Sequence, residues 1–124
     1  MKQRKFHRVS PHLPVTNLQQ TLDYYRDTLG FHDEWKEGEK DGGISRDDLR
    51  LLFAEDPSFT AVINNDQHRL PLMWFVDSIE DIYAGFQARN IEIAAPLALH
   101  PYGLKEFAFV DINGYYIRLA EAAW

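Results

Sequence analysis

Two pairs of side chains in this sequence have the types and spacing for chemistry. Ser10 and His12 lie two residues apart in a segment with apolar patterning, so strand alternation puts a hydroxyl and an imidazole on one face. A histidine there either contacts a ligand and moves a proton, or is a hydrogen-bonded strand residue. Glu106 and Arg118 fall on what should be neighbouring strands, facing the same side. They either form a mutual salt bridge or meet a polar ligand, and burying such a pair is costly unless it is well hydrogen-bonded. His12 and Glu106 are also the candidate acid–base pair, and no residue stands out as a nucleophile. Around these groups, Met73, Phe75, Tyr102 and Tyr116 offer the apolar walls that suit a flat or conjugated ligand. Trp35 divides between a rim position and ligand stacking. Arg50, like Arg8, points by alternation towards the same face or its rim. Trp74 should turn the other way, into the core, and His100 falls in a loop near the mouth. His7, His32 and His68 are read as strand-end or loop histidines.

Composition narrows the chemistry further. There are no cysteines, which excludes disulfides, thiolate zinc sites and cysteine nucleophiles. A formal net charge of -6 argues against nucleic acid, whose phosphates demand clustered lysine and arginine. The basic cluster Lys2, Arg4, Lys5 and Arg8 reads as a solvated tail leading into a first strand. No signal peptide is visible, and the longest apolar run, residues 71–76, is far short of a membrane span. A cytoplasmic protein is therefore the expectation. With 124 residues and a 45% hydrophobic fraction, the chain suits one domain. Its small core would gain from pairing with a second copy, so a homodimer is expected.

The elements that must position these residues form two similar halves. Residues 6–15 read as a strand, and Thr16, Asn17 and Gln19 signal a helix start. Leu18, Leu22, Tyr25 and Leu29 form a helical stripe ended by Gly30. Strands follow at 31–36, 43–46 and 49–54, and 55–69 reads as irregular. The pattern then restarts: a strand at 70–76, a capping box of Asp77 with Glu80, a stripe of Ile79, Ile82, Tyr83 and Phe86, and strands at 91–94, 104–110 and 115–120. Val15, Leu18, Leu22 and Tyr25 lie over Val76, Ile79, Tyr83 and Phe86 at an offset of 61 residues. The expected architecture is α+β: two βαβββ modules, 6–55 and 70–121, joined by a linker at 56–69. Helices are expected near 17–29 and 78–89, on the outer face of a curved mixed sheet that wraps a cup.

The stretch His12-Leu-Pro-Val-Thr-Asn-Leu18, with Tyr24-Tyr25 and Leu29-Gly30-Phe31, resembles the opening of the vicinal-oxygen-chelate superfamily of glyoxalases, bleomycin-resistance proteins and extradiol dioxygenases. Residues 102–119, running Tyr-Gly-Leu-Lys-Glu-Phe through Asp111-Ile-Asn-Gly114 to Arg118-Leu119, resemble its closing hairpin. Asn17 stands where the pattern has Asp, and Ile112-Asn113 where it has Pro-Asp.

The resemblance implies a ligand cup, in many relatives built around a metal held by His or Glu from the first, fourth, fifth and eighth strands. Those positions fall here at Ser10, near Leu52, at Pro71 and at Arg118. Pro71 and Leu52 offer no donor, and Arg118 brings a fixed positive charge. The resemblance therefore points to the bleomycin-resistance branch, whose cup binds a drug without a catalytic metal. The expectation is a small-molecule-binding protein with no metal or cofactor, sequestering an antibiotic or an aromatic metabolite. The alternative is a metal-dependent lyase, isomerase or dioxygenase of the glyoxalase type.

Overall fold

The structure, a computed structural model, describes residues 4–123; Lys2 of the basic cluster lies outside them. Among the described residues, eight strands and three helices follow in the order β1 (His12–Val15), α1 (Leu18–Asp27), β2 (His32–Glu37), β3 (Asp41–Arg46), β4 (Leu49–Glu55), α2 (Pro57–Ile63), β5 (Pro71–Phe75), α3 (Ile79–Ala88), β6 (Ile93–Leu99), β7 (Leu104–Val110) and β8 (Tyr116–Ala122). They build two four-stranded mixed sheets with the same topology, β1-β4-β3-β2 and β5-β8-β7-β6. In each, the first and last strands of the half run parallel and the other pairs run antiparallel.

Four local readings are corrected. The first strand begins only at His12; residues 4–11 have no regular structure, and Phe6 and Val9 are fully exposed. Without a neighbouring strand there, patterning alone does not make a ladder. The segment read as irregular contains α2, capped by Asp56, whose side chain accepts from the Phe59 N–H, with Pro57 in the first turn. Strand β6 extends to Leu99, through a stretch read as loop, because β7 pairs with it as far as Leu99–Lys105. Asp77 does not cap α3. Ser78 does, in the left-handed region (φ 54), and its side chain makes no capping bond. The N–H groups of Ser78 and Ile79 instead donate to the Glu121 carboxylate at 3.0 and 3.1 Å. The first half uses the same device alongside its Asn17 cap: the Leu18 N–H donates to Glu55 Oε1 at 2.8 Å. In both halves a glutamate late in the last strand places its negative charge at the helix N-terminus, where the dipole favours it.

One core joins the halves. Leu13, Val15, Leu51 and Phe53 from the first sheet, Leu22 and Tyr25 from α1, and Trp74, Phe107, Phe109, Ile117 and Leu119 from the second sheet belong to a single buried cluster. Tyr25 packs on Phe31, Phe53 and Trp74, and Phe86 on Phe107 and Phe109. Each such side chain, fully buried, contributes about 1.5–3 kcal/mol.

Polar bonds fasten the β7–β8 turn to the first half. The Tyr25 hydroxyl donates to Asp111 at 2.6 Å, Asn113 Nδ2 to Thr21 Oγ1 at 3.0 Å, and the Tyr115 hydroxyl to the Pro14 carbonyl at 2.6 Å. Gly114 closes the turn at φ +85, and a Cβ there would lie 2.9 Å from Asn64 Cβ, so glycine is required both by conformation and by space.

Candidate functional site

Alternation divides the predicted site residues into two sets. On the first sheet Leu13, Val15, Leu51 and Phe53 point into the core, so His12, Arg50 and Leu52 occupy the opposite face. His12 pairs in register with Leu52, Leu52 with Gly43, and Gly43 with Trp35. The Trp35 indole lies over Gly43, where an added Cβ would come within 2.7 Å of its Nε1. The signal for this contact was in the sequence: glycine inside a strand marks a close approach of another group. Trp35 is 37% exposed, and Arg50, opposite Ser45, projects into solvent. Ser10 is half-buried and lies outside β1, so strand alternation does not place it beside His12.

On the second sheet Trp74, Phe107, Phe109, Ile117 and Leu119 fill the core, leaving Met73, Phe75, Glu106, Tyr116 and Arg118 on the other face. Met73 pairs with Arg118 and Arg118 with Ala108; Phe75 pairs with Ala120 and Ala120 with Glu106. The small side chains of Ala108 and Ala120 leave room above the sheet for the guanidinium. Arg118 uses it to bind Glu106 twice, Nε to Oε1 and Nη2 to Oε2, both at 2.8 Å. The Tyr102 hydroxyl donates to Glu106 Oε2 at 2.5 Å, and Arg118 Nη2 reaches the same hydroxyl at 3.2 Å. His100 stacks on the Tyr102 ring with centroids 5.2 Å apart.

Glu106 is thus only 5% exposed yet fully engaged. Burial alone would raise its pKa, but the hydrogen bonds from Tyr102 and Arg118 outweigh that and hold the carboxyl below its ordinary range. Arg118 and Tyr102 are both pushed up, first by their hydrogen bonds to Glu106. Phe75 and Tyr102, respectively 67% and 53% exposed, flank this charged patch with apolar surface.

The structure therefore brings Tyr102, Glu106 and Arg118 into direct contact and keeps them on a different sheet from His12, Trp35 and Arg50. Because the helix-bearing sides of both sheets share one core, the two candidate faces turn away from it and from each other.

Two βαβββ modules of identical strand order, each presenting polar and aromatic side chains on the sheet face turned away from the shared core, define the class of protein. The profile of the Glyoxalase/Bleomycin resistance protein/Dioxygenase superfamily matches residues 5–119, and the chain belongs to that superfamily. Solved structures share the fold. The bleomycin resistance determinant encoded on transposon Tn5 aligns with a TM-score of 0.78 at 22% identity, over 96% of this chain and 100% of that one. The bleomycin-binding protein of Streptomyces verticillus, complexed with copper(II)-bleomycin, gives 0.74 at 21% identity, over 94% and 97%. TioX from Micromonospora sp. ML1 gives 0.74 at 14% identity, over 94% and 99%. A sequence search of the curated proteins finds no match. Among the described residues, no helix is long and apolar enough to cross a membrane.

Proposed function

We infer that this chain is a small-molecule-binding protein, with a ligand site formed where the first-sheet face of one copy meets the second-sheet face of another. The observation that carries this reading is the closed Tyr102–Glu106–Arg118 cluster on an aromatic sheet face that its own chain leaves uncovered. The ligand contacts in this reading are Ser10, His12, Trp35 and Arg50 from one copy and Met73, Phe75, Tyr102, Glu106, Tyr116 and Arg118 from the other. Large aromatic surfaces around a few fixed polar groups are the composition of a binding site for a conjugated molecule. The relatives complexed with bleomycin and copper(II)-bleomycin favour a ligand of that size and type.

A metal of the kind many superfamily members hold does not fit these residues. Ser10, Leu52, Pro71 and Arg118 supply at most one weak oxygen donor, and the Arg118 charge is directed at Glu106 on the face where a cation would lie. The Streptomyces verticillus protein is complexed with copper(II)-bleomycin, so on this reading a metal would come to this chain as part of the ligand.

Calorimetric titration with metal-free bleomycin, in a buffer containing a chelator, tests the reading, together with elemental analysis of protein purified without added metal or chelator. The expected result is far less than stoichiometric zinc, nickel, iron or manganese, and saturable binding weakened by Trp35→Ala and by Phe75→Ala. Stoichiometric metal lost with His12→Ala would return the chain to the metal-dependent lyases, isomerases and dioxygenases of the glyoxalase type.

A further inference from the structure

A cleft of about 300 Å³ lies between the two halves. Its floor is Phe31, Trp74, Ile82 and Phe86. Its rim carries Asp47 and Asp48, from the turn between β3 and β4, and Asp77, just after β5. Arg46 also lines it, but spends Nη1 on the Leu29 carbonyl at 2.8 Å. Among the described residues, none of the three carboxylates forms an ion pair. Asp47 is held in the left-handed region at φ 51, which fixes the turn that presents it. The rim is therefore anionic, three carboxylates against one guanidinium.

The wall holds a second, independent feature. Trp74 is 6% exposed, and its indole N–H is the one buried side-chain donor or acceptor without a partner among the described residues. Buried donors are normally paired, so this N–H is open to an acceptor that a ligand brings. The volume lies at the lower end of the range for small-molecule sites, roughly 300–1,000 Å³.

We propose that this cleft is a second binding site, for a small organic cation: an aromatic amine whose ammonium meets Asp47, Asp48 and Asp77, whose ring lies among Phe31, Trp74 and Phe86, and whose oxygen accepts the Trp74 N–H. Aromatic faces attract a cation as well as excluding water from it. Phe75, at the edge of the cleft, also belongs to the second-sheet face; the remaining residues of that face do not line the cleft.

The test is calorimetric titration with tyramine, which carries an ammonium, a ring and a phenolic oxygen, beside 4-hydroxyphenylacetate, which exchanges the ammonium for a carboxylate. Tyramine is expected to bind saturably and 4-hydroxyphenylacetate not at all. The triple variant Asp47→Asn, Asp48→Asn and Asp77→Asn alters only exposed turn and rim residues, so it should stay folded, and should weaken tyramine at least about tenfold. In nitrogen–proton spectra the Trp74 indole signal, identified as the one retained in both Trp35→Phe and Trp124→Phe, should shift with tyramine. Arg118→Ala should leave the tyramine titration unchanged, which separates this site from the sheet-face reading. No saturable binding, equal binding of the acid, an unmoved Trp74 signal, or loss of binding in Arg118→Ala would each overturn the proposal.

Discussion

Asp111→Ala should cost about 4 kcal/mol, a large share of the roughly 5–15 kcal/mol that holds a domain of this kind together. Asp111 is 5% exposed and accepts from the Tyr25 hydroxyl at 2.6 Å, the Asn113 N–H at 2.9 Å and the Tyr115 N–H at 3.0 Å. Alanine leaves a fully buried hydroxyl and two turn N–H groups unmet, and each such group costs about 1–3 kcal/mol. It also loosens the turn that ties the second half to α1 and β1. Asp111→Asn keeps an acceptor at Oδ1 and should cost far less.

The two variants also differ in pH response. Burial is the largest influence on the Asp111 carboxyl and leaves it above its ordinary value despite its hydrogen bonds. The native chain therefore holds that proton to higher pH than the unfolded chain does, so this residue's contribution to stability falls as pH rises between the ordinary and the raised value. Asp111→Asn should abolish that slope. Urea denaturation across pH, followed by circular dichroism, measures both effects. A loss below about 1 kcal/mol in Asp111→Ala would show that the turn is not a joint between the halves.

Arg118→Ala should cost about 2 kcal/mol at neutral pH. Breaking a fully buried ion pair costs about 3–5 kcal/mol, and the 35% exposure of the Arg118 side chain reduces that figure. What remains is Glu106, buried and charged, with Tyr102 as its one side-chain partner. In the wild type the Glu106 carboxyl is held below its ordinary value, so its contribution is present above the ordinary value and is lost as pH falls through the lowered one. Without Arg118, burial dominates and the variant takes up a proton more readily. The penalty should therefore be largest at neutral pH and shrink as pH drops below the ordinary glutamate range. Replacing both residues, Glu106→Leu with Arg118→Met, should restore most of the stability while removing the polar patch. A penalty independent of pH would mean that lost packing by the arginine stem outweighs the lost charge.

Much of the fold was legible because its signals are local. The stripes Leu18, Leu22, Tyr25 and Ile79, Phe86 are helical by spacing alone, and the core faces of β4, β7 and β8 follow from alternation. What was not legible depended on partners distant in sequence. Glu121 displaces Asp77 as the cap of α3 from a strand more than forty residues away. Strand β6 exists through Pro96 because β7 is beside it. Helix α2 was signalled by Asp56-Pro57 but obscured by the polar run after it.

The candidate site divides the same way. Alternation assigns Met73, Phe75, Glu106, Tyr116 and Arg118 to one face, yet nothing in the local pattern says which way that face looks. That depends on both sheets sharing the core through Tyr25, Phe31 and Trp74. Of the aspartates on the cleft rim, Asp47 and Asp48 read as a tight turn and Asp77 as a helix cap, because the two halves that bring them together are separated by a linker.

The claim that one site is shared by two copies is tested most directly by mixing variants. Trp35→Ala damages only the first-sheet face and Phe75→Ala only the second. If each site combines one face from each copy, neither variant alone should bind metal-free bleomycin tightly. Unfolding the two together and refolding them at equal concentration should restore about a quarter of the wild-type sites, since half the dimers are mixed and each mixed dimer holds one intact site. Tight binding that does not reappear in the refolded mixture, with dimers present by light scattering, would contradict a shared site and place both faces of each ligand contact within one chain.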